Sequence, residues 1–169
     1  KKNKKIGVLI ILTGIRSLDL KLLEWIGKVE EINKNIKITL KPHPILAIDK
    51  INFEGSFSKN LIISDEKLSS LLAKTSIAVC SGPTSATIES LAYNCFLIVP
   101  AIDAFDELNL KILNISKKKY YLVYSGEELA EKIKKINIKY TLKNRKRNIL
   151  INKKLFLEKK SKKNLKYFY

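Results

Sequence analysis

Apolar residues arrive in short unbroken runs at 6–13, 36–41, 61–64, 77–81, 96–100 and 120–124. A strand with water on one face alternates apolar and polar side chains, whereas a run without alternation belongs to a strand covered on both faces. Between several of these runs the period lengthens to that of a helix. "SLDLKLLEWIGKVEEI" (17–32) gathers Leu, Trp, Ile and Val onto one face behind Ser17, the predicted N-cap. "DEKLSSLLAKT" (65–75) reads as a short helix with acids in its first turn. "PTSATIESLAYN" (83–94) has Pro83 at the first helical position and Asn94 as its stop. "SGEELAEKIKKI" (125–136) sets Ser125 as N-cap and Glu128 at capping-box spacing.

Strands that alternate with helices and are apolar on both faces pair in parallel, with the helices covering both sides. The predicted fold class is therefore α/β: a Rossmann-like parallel sheet in one domain over 1–136, followed by a basic, helical extension over 137–169. Ligands of such sheets gather at the carboxyl ends of the strands, where loops meet helix N-termini. Two loops at such positions hold unusual chemistry. "LKPHPI" (40–45) carries the chain's one histidine between two prolines, and "CSGPTSATIES" (80–90) joins a predicted strand to a predicted helix. The first strand is followed by "ILTGIRSLD", which lacks the GxGxxG dinucleotide fingerprint, and no Walker-A loop is present.

With 169 residues the chain suits a single domain with a real core. Its longest apolar stretch, "IGVLIILTGI" (6–15), is shorter than the roughly 18 residues of a membrane span, and no small-residue cleavage site follows it. Lys1 in place of a methionine reads as a piece of a longer protein. Cys80 and Cys95 lack metal-ligand spacing, and they read as two small buried hydrophobes in a reducing cytoplasm rather than a disulfide. A formal charge of +17 looks like a nucleic-acid signature until it is located. Four lysines in 1–5, and twelve Lys/Arg against one Glu in 137–169, hold +15 of it, leaving +2 for 6–136. The basic character belongs to the tails.

The "SGPTS" loop offers backbone amides at a helix N-terminus and the hydroxyls of Ser81, Thr84 and Ser85, which together suit a phosphate. Capping the helix would need one of those hydroxyls. Pro42 and Pro44 restrict the backbone on either side of His43, and Lys41 adds a cation beside it. Such an imidazole donates a hydrogen bond, or a proton, to a phosphate oxygen; the plainer reading is a structural histidine at a strand end. Glu66 and Glu89 are candidate partners for ribose hydroxyls, or else solvated helix carboxylates.

"LKPHP" at 40–44 followed by "LIISDEKLSSLLAKTSIAVCSGPTSATIESLAYNCFLIVP" at 61–100 resembles the C-terminal, nucleotide-binding half of GT-B fold glycosyltransferases. The similar families make bacterial surface polysaccharides: sialyltransferases and polysialyltransferases using CMP-sugars, capsule Kdo transferases, and teichoic-acid polymerases using CDP-glycerol. They share an HP motif and a downstream Ser/Thr pair. The resemblance implies that His43 contacts the donor phosphate and acts as acid to the leaving group. Thr84 and Ser85 would then hold the same phosphate and Glu66 the ribose, with Lys41, Pro44, Ser81, Gly82 and Glu89 completing the nucleotide site. Pro83-Thr84 departs from the Ser-Ser or Ser-Thr of many relatives. The resemblance also implies a nucleotide-sugar donor as substrate with no cofactor and no metal, and a glycan or lipid-linked acceptor. An N-terminal acceptor lobe, outside this chain, would supply the rest of the active site, so that the lobe is not active alone. A UDP-sugar 2-epimerase-like lobe is the alternative on the same fold, with Ser81, Gly82 and Glu89 in its turn and helix. A non-catalytic basic module for membrane or nucleic acid is the alternative of another class. Nucleic acid is not expected, since the body is close to neutral.

The basic C-terminal segment is expected to act as a reversible membrane-surface anchor, and the resemblance implies a cytoplasmic protein at the inner face of the membrane, where such polysaccharides are assembled. Each Lys or Arg near anionic lipid contributes about 1 kcal/mol. The full chain is therefore expected to sediment with phosphatidylserine vesicles at low salt and to be released as salt rises. Failure to pellet at low salt would show the tails to be merely solvated.

Overall fold

The computed structural model describes residues 7–32, 36–51, 53–55, 58–81, 84–103, 110–111, 115 and 119–136. The lysines of 1–5 and the whole extension 137–169 lie outside the described residues, and with them the helix expected over 140–160. The elements run β1 (Gly7–Ile11), α1 (Arg16–Ile32), β2 (Lys37–Lys41), a 3-10 turn (Ile48–Ile51), β3 (Leu61–Ile63) and α2 (Leu68–Lys74). Then follow β4 (Ile77–Cys80), α3 (Ser85–Ala92), β5 (Phe96–Pro100), β6 (Tyr120–Val123) and α4 (Gly126–Lys135). All strands pair in parallel, in the order β3-β2-β1-β4-β5-β6. The α/β, Rossmann-like architecture expected from the pattern is the one observed.

Alternation sorts the strand side chains between two cores. Val8, Ile10 and Leu12 face α1 and α4, meeting Leu22, Ile26, Val29, Leu129 and Ile133. Leu9 and Ile11 face the opposite side with Ala78, Cys80, Leu97 and Val99, covered by Leu71 and Leu72 of α2 and Ala86 of α3. Each fully buried aliphatic side chain contributes roughly 1.5–3 kcal/mol of transfer free energy. The helices α1 and α4 approach closely where α4 begins. A Cβ on Gly126 would lie 3.1 Å from the Trp25 Cα, so a larger residue would push the two helices apart.

The pattern erred where packing or local hydrogen bonding overrode it. β3 is an edge strand, and Ile62 and Ile63 are exposed rather than covered on both faces. α1 begins at Arg16, so Ser17 lies inside its first turn and is not the cap. Asp65 and Glu66 precede α2, whose first turn holds no acid. α3 starts at Ser85 with Thr84 as N-cap, later than the predicted start at Pro83. Two other ends match expectation. The Ser125 Oγ accepts from the Glu128 amide at 3.2 Å, while the Glu128 carboxylate accepts from the Tyr124 amide at 2.8 Å. Asn94, at φ +54, ends the α3 turn in the left-handed region that asparagine tolerates.

Cys80 and Cys95 are free and buried. The Cys80 Sγ lies 3.6 Å from the Ser90 Oγ, and burial pushes its thiol up to about 12. A thiol held protonated is a poor nucleophile. Iodoacetamide at mildly alkaline pH is therefore expected to leave Cys80 unmodified in the native protein and to alkylate it in urea, read by mass spectrometry. Equal labelling in both states would contradict this packing.

Candidate functional site

The strand order reverses between β1 and β4: the chain moves from β1 outward through β2 and β3, then returns to the other side of β1. Loops leaving the two central strands diverge there and open a crevice at the carboxyl edge. The register sets Lys41, Ile11 and Cys80 level across β2, β1 and β4. With strands about 4.8 Å apart, the ends of β2 and β4 stand about 10 Å from one another. Both loops singled out from the sequence leave the sheet along this row, and the β1–α1 loop leaves it from the strand between them.

His43 follows β2 and opens a tight turn. Its carbonyl accepts from the Leu46 amide at 3.1 Å, and Pro44 and Ile45 occupy the bend. The Ile45 amide donates to the imidazole Nδ1 at 3.3 Å. Because Nδ1 is an acceptor, the neutral ring carries its proton on Nε2. The ring lies against the β1–α1 loop. A Cβ built on Gly14 would come within 2.6 Å of Nδ1, and Gly14 has φ +81, so this close approach requires glycine twice over. Ile15 and Ile45, 55% and 83% exposed, carry apolar surface on the two loops that hold the ring. Lys41 is half-buried, and among the described residues it has no ion-pair partner.

Ser81, directly after β4, is 1% exposed, and its hydroxyl finds no hydrogen-bond partner among the described residues. A buried hydroxyl left unpaired costs about 1–3 kcal/mol, and Ser81 shares this state with the Tyr120 hydroxyl. Gly82 and Pro83 lie outside the described residues. Thr84 caps α3, its amide donating to the Thr87 Oγ1 at 3.4 Å, and Ser85 is exposed at the first helical position. The amides of Ser85 and Ala86 have no carbonyl to bind within the helix, as in any first turn. The helix thus presents a partial positive charge beside the Ser81 hydroxyl.

The two acids fall elsewhere. Glu66 follows the edge strand β3, and its carboxylate pairs with the Lys74 ammonium at 2.8 Å, exposed to water. Glu89 is half-buried within α3, past the first turn. The structure therefore sets Lys41, His43 and Pro44 after β2 and Ser81, Thr84 and Ser85 after β4, on either side of β1 at the same edge of the sheet, and sets Glu66 beyond β2 on the far side.

One residue of this region escaped the sequence reading. Asp19 is fully buried, and its carboxylate accepts from the Thr13 amide at 2.7 Å, the Thr13 hydroxyl at 2.9 Å and the Gly14 amide at 2.9 Å. The available signal is an acid in the first turn of α1, shortly after "TG". Among the described residues no group of His, Cys, Asp and Glu could hold a metal ion, and no helix is long and apolar enough to cross a membrane.

No protein-family model matches the sequence, and no curated protein does. Solved structures do match. The glycosyltransferase SnogD from Streptomyces nogalater superposes with a TM-score of 0.58 at 17% identity, over 89% of this chain and 39% of its own. The glycosyltransferase VinC, in complex with dTDP, gives 0.59 at 12% identity, over 91% and 39%. Arabidopsis thaliana UGT89C1, complexed with UDP, gives 0.53 at 13% identity, over 90% and 38%. This chain spans about two fifths of the length of these proteins, and at such identities the likeness is one of fold: a Rossmann-like α/β arrangement that also forms part of solved glycosyltransferases.

Proposed function

We propose that this domain is the donor-nucleotide-binding half of a glycosyltransferase, taking the phosphate of a sugar nucleotide in the crevice between the ends of β2 and β4. The observation that carries the reading is the buried, unpartnered Ser81 hydroxyl at the end of β4, followed by the first-turn amides of Ser85 and Ala86 that the Thr84–Thr87 capping box leaves unused, across the β1–α1 loop from the His43 imidazole. An anion there gains hydrogen bonds from Ser81 and the α3 amides on one side. On the other it gains the Nε2–H of His43 and the Lys41 charge.

During transfer the bond between sugar and phosphate oxygen breaks and its electron pair stays with the nucleotide. Donors already aimed at that oxygen stabilise the charge as it grows, without reorganising at the moment of reaction. With Nδ1 held by the Ile45 amide, the neutral His43 ring offers one donor, which suits it to this work. The acceptor, and the group that deprotonates it, would come from a second lobe. The motif resemblance favours a CMP-sugar or CDP-linked donor and a bacterial surface polysaccharide as product, built on a glycan or lipid-linked acceptor at the inner membrane face. The dTDP and UDP of VinC and UGT89C1 make those nucleotides the direct competitors in a binding test.

Calorimetric titration of the full chain with CMP, CDP, UDP, dTDP and NAD is expected to show binding of a cytidine nucleotide, with CMP or CDP preferred over NAD. Equal or absent binding for all five would end this reading, and UDP alone would favour the epimerase-like lobe. His43→Ala is expected to weaken the bound nucleotide by about 1.5–3 kcal/mol, the scale of a hydrogen bond to a charged group. The melting temperature should barely move, because the ring faces a site rather than a core. A structural histidine would give the reverse. Ser81→Ala should lower affinity while leaving urea stability unchanged or raised by up to about 1 kcal/mol, since it removes a buried hydroxyl without a partner. A clear loss of stability in Ser81→Ala would mean that the hydroxyl serves the fold.

A further inference from the structure

We infer that Asp19 is the positioning residue for the His43 imidazole, acting through the β1–α1 loop; this deepens the phosphate reading of the site and rests on it. A buried carboxylate is costly unless it is hydrogen-bonded, and Asp19, at 0% exposure, meets three donors from two consecutive residues. The Thr13 hydroxyl relays the restraint one residue further by accepting from the Ile15 amide at 3.1 Å. Thr13, Gly14 and Ile15 are thus all tied to one carboxylate. Gly14 is the residue on which the imidazole rests, at a spacing that leaves no room for a Cβ. The ring is held on two sides: the Ile45 amide fixes Nδ1, and the Gly14 backbone fixes its face.

A second consequence concerns where an anion goes. In most Rossmann-like folds the amides after β1 receive the ligand phosphate. Here the Thr13 and Gly14 amides are already occupied by the Asp19 carboxylate, whose negative charge opposes a phosphate at that spot. The open amides are those of α3, so the loop after β1 serves to hold His43 instead. A role confined to α1 would be different: Asp19 would then support the helix start, and the imidazole would be indifferent to its loss.

The chain has one histidine, so the imidazole nitrogens of the isotope-labelled full-length protein give a single set of NMR signals. Without nucleotide, the native protein should show the Nε2–H tautomer. Asp19→Asn keeps the shape but sets an amide NH2 against the loop donors. It should release the Gly14 amide and give an averaged tautomer pattern. Gly14→Ala should do the same with Asp19 intact, by pushing the ring aside. For the nucleotide that binds the native protein, Asp19→Asn should raise the dissociation constant about tenfold, within the worth of one charge-assisted hydrogen bond. In a His43→Ala background the same change should have little effect, because the residue through which it acts is gone.

A native-like tautomer pattern in Asp19→Asn would overturn the inference, as would a full tenfold loss in the His43→Ala background. Should Asp19→Asn fail to fold, a native imidazole spectrum in Gly14→Ala would overturn it equally. The spectra need no nucleotide. Absence of nucleotide binding by the native protein would therefore sink the proposed function and leave the positioning test standing.

Discussion

The double burial of β1 governs the rest of the molecule. It has a hydrogen-bonded neighbour on each edge and a helical layer on each face, so its side chains are buried from Val8 to Ile11. A strand in that position must sit where crossovers depart in both directions, because right-handed connections place successive helices on opposite faces once the direction of winding reverses. The reversal leaves one uncovered place, at the carboxyl ends of β1 and its neighbours. Among the described residues, His43 follows β2 and Ser81 follows β4 at that gap, whereas Glu66 is kept from it by the same topology.

The polar groups at the gap are not equivalent. After β1, the loop amides are satisfied from within by Asp19, which gives a rigid and anionically filled turn. After β4, the Ser81 hydroxyl is buried without a partner, and the Thr84–Thr87 capping box leaves the first-turn amides of Ser85 and Ala86 unused. The first arrangement favours precise placement of whatever rests on it, and what rests on it is the His43 ring. The second costs free energy until something binds. A rigid wall on one side and unused donors on the other is the division that the proposed anion site would use. Pro42 and Pro44 add to the rigid side by limiting the backbone on which the imidazole is carried.

The same view explains the acids. Glu66 leaves the sheet from an edge strand, where solvent screens it and Lys74 is the available partner. An exposed pair of this kind contributes little to stability, at most about 1 kcal/mol. Its distance from β1 follows from the strand order and not from the spacing of residues along the chain.

Local chemistry was enough to read the strand runs, the α/β class, the positions of α1 and α4, the Asn94 stop and the buried free cysteines, because each depends on side chains a few residues apart. It was enough, too, to single out His43 and the Ser81–Ser85 loop, since prolines and hydroxyls at predicted strand ends are legible without coordinates. Periodicity could not tell that β3 is an edge: an apolar run looks the same whether a neighbour covers it or not. Nor could it show that Asp19 turns inward. A carboxylate in a first helical turn is usually a solvated one that favours the helix dipole, and only the arrival of β1 beneath it, with Thr13 and Gly14 presenting their amides, makes burial affordable. The contact between Gly14 and His43, separated by a whole helix and a strand, exists solely because β1 and β2 lie side by side. Residue types were set locally; which of them meet was decided by the strand order, because parallel pairing brings together chain segments that no local signal connects.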